Sequence, residues 1–423
     1  MKRIAFYLNN NNIPNIDYSD IKKGNPGIGG SEYLCVLFAS ELSKRNIFDI
    51  ILLADEDSVF PKHLKWEKCG NLKNAIVKYK SKVDFFIVDS KFFDIQYAKD
   101  NVDVKFILRI NNTMKWHDML ECVNIPNIIK LVHVGREMYD LYRDARIFPK
   151  TTYIYNAVSF EPLNNRTLIP VSERKNRVVY IGSIVPNKGF PLLAKVWKEV
   201  LKEIPDAELF VIGSGKLYSS SAKLGKYRIA EESLENQFIP YITDDKGKLL
   251  SSIHFMGIMG AEKYDIVSQC KVGVPNPGGL SETFGSTAVE MAMMGCYITT
   301  KYCPGYIDTV YDNSLLYKNN EKLKDNIVYL LKGNYSQDYD TMISYYKSNF
   351  SLDVIIDKWI DLLLNPYEIN IEKLSPRSNY QMKKLKEWIR KYVPDVIKKY
   401  IPTIEHIYRS KFFRTYFKTE CPY

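Results

Sequence analysis

No apolar run in this sequence is long enough to span a membrane. Nor is there a C-x-x-C pair or any Cys/His spacing of the zinc-binding kind. The seven cysteines, at 35, 69, 122, 270, 296, 303 and 421, lie scattered along 423 residues. They read as reduced thiols of a cytosolic protein, several of them core residues, and no structural zinc is expected. The opening MKRIAFYLNNNN has a basic start but too short an apolar run for a secretory leader, and it suits a first strand. No short-period repeat occurs, and the asparagines at 9–12 are the one low-complexity tract. Excess charge is nearly missing from most of the chain. Of the net +10, residues 366–423 hold +7, from 13 Lys/Arg against 6 Asp/Glu, which leaves a nearly neutral body and a basic tail.

What is present is ordinary globular composition, 46% hydrophobic and 26% charged, in a chain too long for one core. Near-continuous apolar runs at 3–8, 48–55, 83–90 and 104–110 read as buried strands, and 31–45 has apolar residues at helical spacing. A polar, aperiodic stretch at 156–176 reads as a linker. The pattern then restarts: strand 177–183, helix 190–204, strands 207–215 and 253–259, helix 264–270, strand 271–277, a helix opening near 286, and strand 296–302. Two such βα halves imply two doubly wound domains facing a cleft, with ligands beyond the carboxyl ends of the strands.

The stretch GGLSETFGSTAVEMAMMG, 278–295, places Glu282 and Glu290 on either side of a glycine turn that opens a helix. Thr287-Ala288-Val289-Glu290 reads as a capping box, with Gly295 as the helix stop; that leaves Glu282 unexplained. A binding site reads equally well. GNPGIGGSEYLC, 24–35, leads into a helix, and Gly29 and Gly30 allow a ligand close to the backbone; a plain loop and cap is the simpler reading. It is not the dinucleotide fingerprint, because the third glycine position holds Glu32. In VVYIGSIVPNKGF, 178–190, a strand ends at Gly182 and Lys188 stands before the next helix, either as a surface lysine or as a phosphate partner. Asp55-x-Asp57 matches a metal-binding pattern that is common by chance, and solvated loop carboxylates read as well there.

Taken together, IGSIVPNKGF, ELFVIGSGK, IHFMGIM, SETFGSTAVEMAMMGCYITT and PGYIDTV, in this order, resemble the C-terminal half of retaining GT-B glycosyltransferases of the GT4 type, glycosyltransferase group 1. GIGGSE matches that family's N-terminal glycine loop, IYNAVSF its linker, and Glu282 with Glu290 its E-x7-E motif. The likeness covers roughly 1–365 and is strongest at 178–312. It implies the GT-B fold: an acceptor-side Rossmann-like domain at 1–165, a nucleotide-sugar domain at 166–345, closing helices at 346–365 that cross back, and a basic amphipathic tail at 366–423.

The resemblance assigns Glu290 to the ribose hydroxyls of a nucleotide diphosphate sugar of the UDP or GDP type, and Glu282 to hydroxyls of its sugar. Phe284, Gly285, Ser286 and Thr287 would meet the diphosphate and sugar with backbone amides, alongside Gly29, Gly30, Gly182 and Ser183. Lys188, with Glu282, would serve catalysis. Two departures stand out. The family often has arginine where this chain has Ser183, and often a histidine where the strand 104–110 runs into Asn111-Asn112, with His117 six residues on. Those three are candidates for the acceptor or sugar side.

The implied enzyme is a metal-independent, hexosyltransferase-type glycosyltransferase without cofactor. It would act on a glycan or lipid-linked acceptor, as in cell-surface polysaccharide or glycoconjugate synthesis. Its expected place is the cytoplasm, at the inner face of the membrane if residues 380–418 meet anionic lipid. No nucleic acid partner is expected. The rival readings are a GT-B nucleotide-sugar epimerase and a non-catalytic protein binding nucleotide sugar or nucleic acid.

Overall fold

The structure, a computed structural model, describes residues 1–368 apart from 115, 141, 143–145, 165, 219–220 and 281, together with 388–389 and 392–398. Seven parallel strands form the first sheet: β1 (Arg3–Leu8), β2 (Asp49–Ala54), β3 (Lys65–Lys68), β4 (Phe85–Asp89), β5 (Phe106–Ile110), β6 (Ile128–His133) and β7 (Thr151–Tyr153), in the order 3-2-1-4-5-6-7. Five more form the second: β8 (Arg177–Ile181), β9 (Glu208–Ile212), β10 (Ile253–Gly257), β11 (Val272–Gly273) and β12 (Tyr297–Ile298), in the order 10-9-8-11-12.

Both sheets are covered on both faces, which is why their strands read as unbroken apolar runs. In β1, Ile4, Phe6 and Leu8 enter one core cluster while Ala5 and Tyr7 enter the other. In β8, Val178 and Tyr180 face one cluster and Val179 and Ile181 the other. This is the two-residue alternation of a strand, with both sides buried.

Several elements differ from the sequence reading. β3 reads KWEK and β7 reads TTY, neither apolar, because both are edge strands. The expected strand 271–277 ladders only at Val272–Gly273, since Pro275 and Pro277 lack the N–H a longer ladder needs. The expected strand 296–302 divides: Tyr297–Ile298 joins the second sheet, and Thr300–Lys301 pairs with Leu316–Tyr317.

The asparagine run has a structural explanation. Asn9 and Asn11 each donate to Asp55 Oδ2 at 2.9 Å, as does the Tyr7 hydroxyl at 2.7 Å, and Asn10 bridges to the backbone of Glu56. Burial raises the Asp55 carboxyl above its ordinary value. Asp57 instead reaches Lys68 at 2.8 Å. The two carboxylates of the D-x-D match therefore point to different partners, and among the described residues no group of three metal-type ligands occurs.

The helix Leu352–Leu364 returns to the first domain, where Ile355, Ile356, Trp359 and Leu363 join its core and Trp359 packs on Phe38 with ring centroids 5.9 Å apart. Beyond it, Lys130 holds the Glu368 carbonyl at 2.6 Å. Most of the tail, 380–418, lies outside the described residues. Among the described residues no helix is long and apolar enough to cross a membrane. Cys35, Cys122, Cys270, Cys296 and Cys303 are buried free thiols, and Cys69 is a half-buried one.

Candidate functional site

In each sheet the strand order reverses beside the first strand of its domain, next to β1 and next to β8. Doubly wound sheets open a crevice at that point, beyond the strand ends. The two crevices face each other here as one cleft of about 730 Å³. Gly29, Gly30, Asn111 and Asn112 line it from the first domain. Gly182, Ser183, Lys188, Glu282, Phe284, Gly285, Ser286, Thr287 and Glu290 line it from the second. His117 is on the helix Trp116–Glu121, and its side chain lies outside the described residues.

One end of the cleft is organised around Glu282. Its Oε2 accepts from Lys188 Nζ at 2.9 Å and from Asn276 Nδ2 at 3.1 Å, with the Tyr306 hydroxyl 3.5 Å away. Burial acts to lower the Lys188 pKa, but the charge of Glu282 outweighs it and holds the ammonium above its ordinary value. Two glycines make the pairing reachable. Gly189 is left-handed at φ 63°, and a Cβ there would meet the Gly278 nitrogen at 2.3 Å. The loops carrying Lys188 and Glu282 thus touch backbone to backbone, which only glycine permits.

The other end is organised around Glu290, and here the structure corrects a sequence expectation. The helix starts at Ser286, with Gly285 as N-cap at φ 80° and no side-chain cap. Thr287 is inside the first turn, so there is no capping box, because a left-handed glycine turns the chain into the helix before Thr287 is reached. Glu290 instead forms an ion pair with Lys263, its Oε2 3.1 Å from Nζ, with the two side chains only 10% and 5% exposed. The Lys263 ammonium also lies 4.9 Å from the centre of the Tyr264 ring. Gly295, at φ 87°, stops the helix as expected.

Between these ends the start of the helix Ser286–Met293 presents its amides to the cleft, a positive helix end suited to an anion. The Phe284 ring points elsewhere, packing on Tyr155 and Phe350 at 5.8 and 5.3 Å. Asn111 is committed too: its amide donates to Asp89 at 2.7 Å and its carbonyl accepts from Thr283 at 2.6 Å. Asn112 stays exposed at the cleft. Ser183, where an arginine was looked for, is buried and donates to the Ser214 carbonyl at 3.3 Å.

Sequence reasoning passed over Lys263 and Asn276, which carried no motif, Tyr306, which lay inside the quoted PGYIDTV, and Glu32, which lay inside the quoted glycine loop. Glu32 lines the first-domain wall, and burial raises its carboxyl pKa. The arrangement can take an anionic centre at the helix start and hydroxyl groups at two carboxylates on either side.

Residues 164–349 match the family model for glycosyl transferases group 1. A segment of 85 residues is 33% identical to an uncharacterized glycosyltransferase of Haemophilus influenzae, 19% of this chain and 24% of that protein. The match thus spans about a quarter of that relative's length. Among solved structures, a glycosyltransferase from Rickettsia africae superposes with a TM-score of 0.61 at 14% identity, over 87% of this chain and 99% of the other. The catalytic domain of starch synthase IV from Arabidopsis thaliana, bound to ADP and acarbose, gives 0.55 at 11% identity, over 87% and 99%. A lipopolysaccharide outer core galactosyltransferase gives 0.55 at 12%, over 86% and 99%. At such identities the likeness is one of fold, and that fold is GT-B: two Rossmann-like domains across a cleft.

Proposed function

From the match of residues 164–349 to glycosyl transferases group 1 as premise, we propose that this chain is a retaining glycosyltransferase that passes a sugar from a nucleotide diphosphate donor to a hydroxyl of a glycan or lipid-linked acceptor. The observation that carries the reading is the pair of lysine–carboxylate contacts, Lys188–Glu282 and Lys263–Glu290, flanking a helix N-terminus in one cleft. Glu290 takes the ribose hydroxyls and Glu282 those of the transferred sugar. The amides of Ser286 and Thr287 and the Lys188 ammonium receive the diphosphate, whose charge grows as the sugar–oxygen bond breaks. A donor phosphate oxygen takes the acceptor proton on the face the leaving group departs from, which gives retention. Fixed cations and N–H groups supply the charge stabilisation, so turnover is expected to survive a chelator.

The test is a donor screen in chelator, nucleotide sugar by nucleotide sugar, read as thermal shift and slow hydrolysis. UDP- and GDP-sugars are the first candidates. Glu290→Ala removes a charged acceptor worth about 1.5–3 kcal/mol per hydrogen bond, so affinity for the matching nucleoside diphosphate should fall about tenfold to a hundredfold. Wild-type affinity in a folded variant would remove Glu290 from the ribose site. Epimerised nucleotide sugar without acceptor would select an epimerase instead.

The reading extends to the tail. In YQMKKLKEWIRKYV, 380–393, apolar residues recur at helical spacing among five lysines and arginines. Such a segment is suited to lie on anionic lipid, at about 1 kcal/mol per basic residue before screening. Full-length protein should pellet with anionic vesicles at low salt. A version ending at Glu368, which keeps the Lys130 contact, should not; equal pelleting would refute the idea.

A further inference from the structure

The PGYIDTV element brings Tyr306 to Glu282, and it also reaches across the domain seam. Asp308, on the helix Pro304–Thr309, is 9% exposed and faces the first domain. Its Oδ2 accepts from the Glu137 amide at 3.1 Å, at the start of the helix Arg136–Asp140, and its Oδ1 from the Tyr155 hydroxyl of the linker at 3.3 Å. Gly135 completes the contact. A Cβ there would meet the Thr283 carbonyl oxygen at 2.6 Å and Asp308 Oδ2 at 2.7 Å. The same seam carries the bond from Thr283 to the Asn111 carbonyl, and the Gly305 amide donates to the Glu282 carbonyl at 3.3 Å. The backbone that presents Glu282 is therefore held on one side by a bond across the seam and on the other by the helix Pro304–Thr309, which is itself bonded across it.

We propose that Asp308 is a positioning residue: bonded across the seam, it holds the Glu282–Phe284 turn against the first domain and makes closure of the cleft dependent on its own protonation. The inference goes beyond the proposed function and rests on it only in giving the turn a donor to meet.

The direction of the pH effect follows from burial. Burial pushes the Asp308 carboxyl up to about 8, against the help of the Glu137 and Arg136 amides and the Tyr155 hydroxyl, and with a further push from the Glu137 charge. Tyr345, from the helix Tyr339–Phe350, also feels Asp308. The helix Ser286–Met293, packed on the same side, has Glu290 as its one charged residue, and that is paired with Lys263. A neutral carboxyl both donates and accepts, so the closed seam keeps its bonds. In an open seam Asp308 meets water and titrates at its ordinary value near 3.8. The closed state thus binds the proton more tightly. Its advantage is full below about pH 4 and declines up to pH 8 by as much as about tenfold per unit, then levels off.

The experiment is hydrogen exchange of the peptide containing Glu137 in the full chain without ligand, from pH 5 to 9, corrected for the intrinsic rate. Wild-type protection should fall with pH and flatten above 8. In Asp308→Asn it should stay level, and Asp308→Ser serves if that variant does not fold. Constant wild-type protection, or the same decline in the variant, would overturn the proposal. A second arm compares donor KM and kcat: KM should rise with pH in the wild type only, with kcat at pH 6.5 the same in both. The exchange arm needs no substrate, so it decides the inference even if no nucleotide sugar is bound.

Discussion

Replacing Lys188 with alanine is expected to lower kcat by about two to three orders of magnitude, the cost of removing one fixed donor aimed at developing charge. The stability cost should be small by comparison. Glu282 would lose its cation but keep Asn276 and the nearby Tyr306 hydroxyl, and its side chain is 13% exposed, so some water can reach it. Arginine should not restore the rate. A compact ammonium and a planar guanidinium fork place their donors differently. The measurement is kcat at saturating donor beside a urea midpoint. An unchanged kcat with a lowered midpoint would make Lys188 a structural member of the loop contact.

Lys263→Ala should be the most destabilising substitution in the cleft. It leaves the Glu290 carboxylate buried without its cation, and breaking one side of a buried pair costs about 3–5 kcal/mol. Joint replacement, Lys263→Met with Glu290→Gln, removes both charges and should recover most of the loss. The readout is the urea midpoint of the second domain at pH 5 and pH 8. A Lys263→Ala midpoint equal to wild type at both would show that water reaches Glu290. The recovered double variant should still bind nucleoside diphosphate poorly, which separates the ligand role of Glu290 from its part in folding.

Much of this architecture was legible because buried parallel strands announce themselves. β1, β2, β4, β5 and β8 are apolar on both faces, and each fell within a stretch read as strand. The charged edge strand Lys65–Lys68 carried no such signal. Glu282, Glu290, Gly285 and Lys188 were legible through the resemblance of their stretches to a family's motifs, and the fold does bring them to one cleft. Their partners were not. Lys263 is one lysine at the start of a five-residue helix, with nothing in its neighbours to distinguish it. Asp308 meets a backbone amide of the other domain, and a backbone amide has no sequence signature. The capping box was misread for a local reason: the motif is present in letters, but a left-handed glycine just before it had already begun the helix.

The returning helix Leu352–Leu364 carries a consequence for synthesis. Ile355, Ile356, Trp359 and Leu363 fill the first domain's core, yet they are made after nearly all of the second. On the ribosome the first sheet and its leading helix emerge early but stand beside an unfilled hollow. At about 5–20 residues per second, the roughly 200 residues still to come impose a wait of about 10–40 s. The first domain to be translated is therefore the last to be finished, and the second can fold complete while the first still shows apolar surface to chaperones.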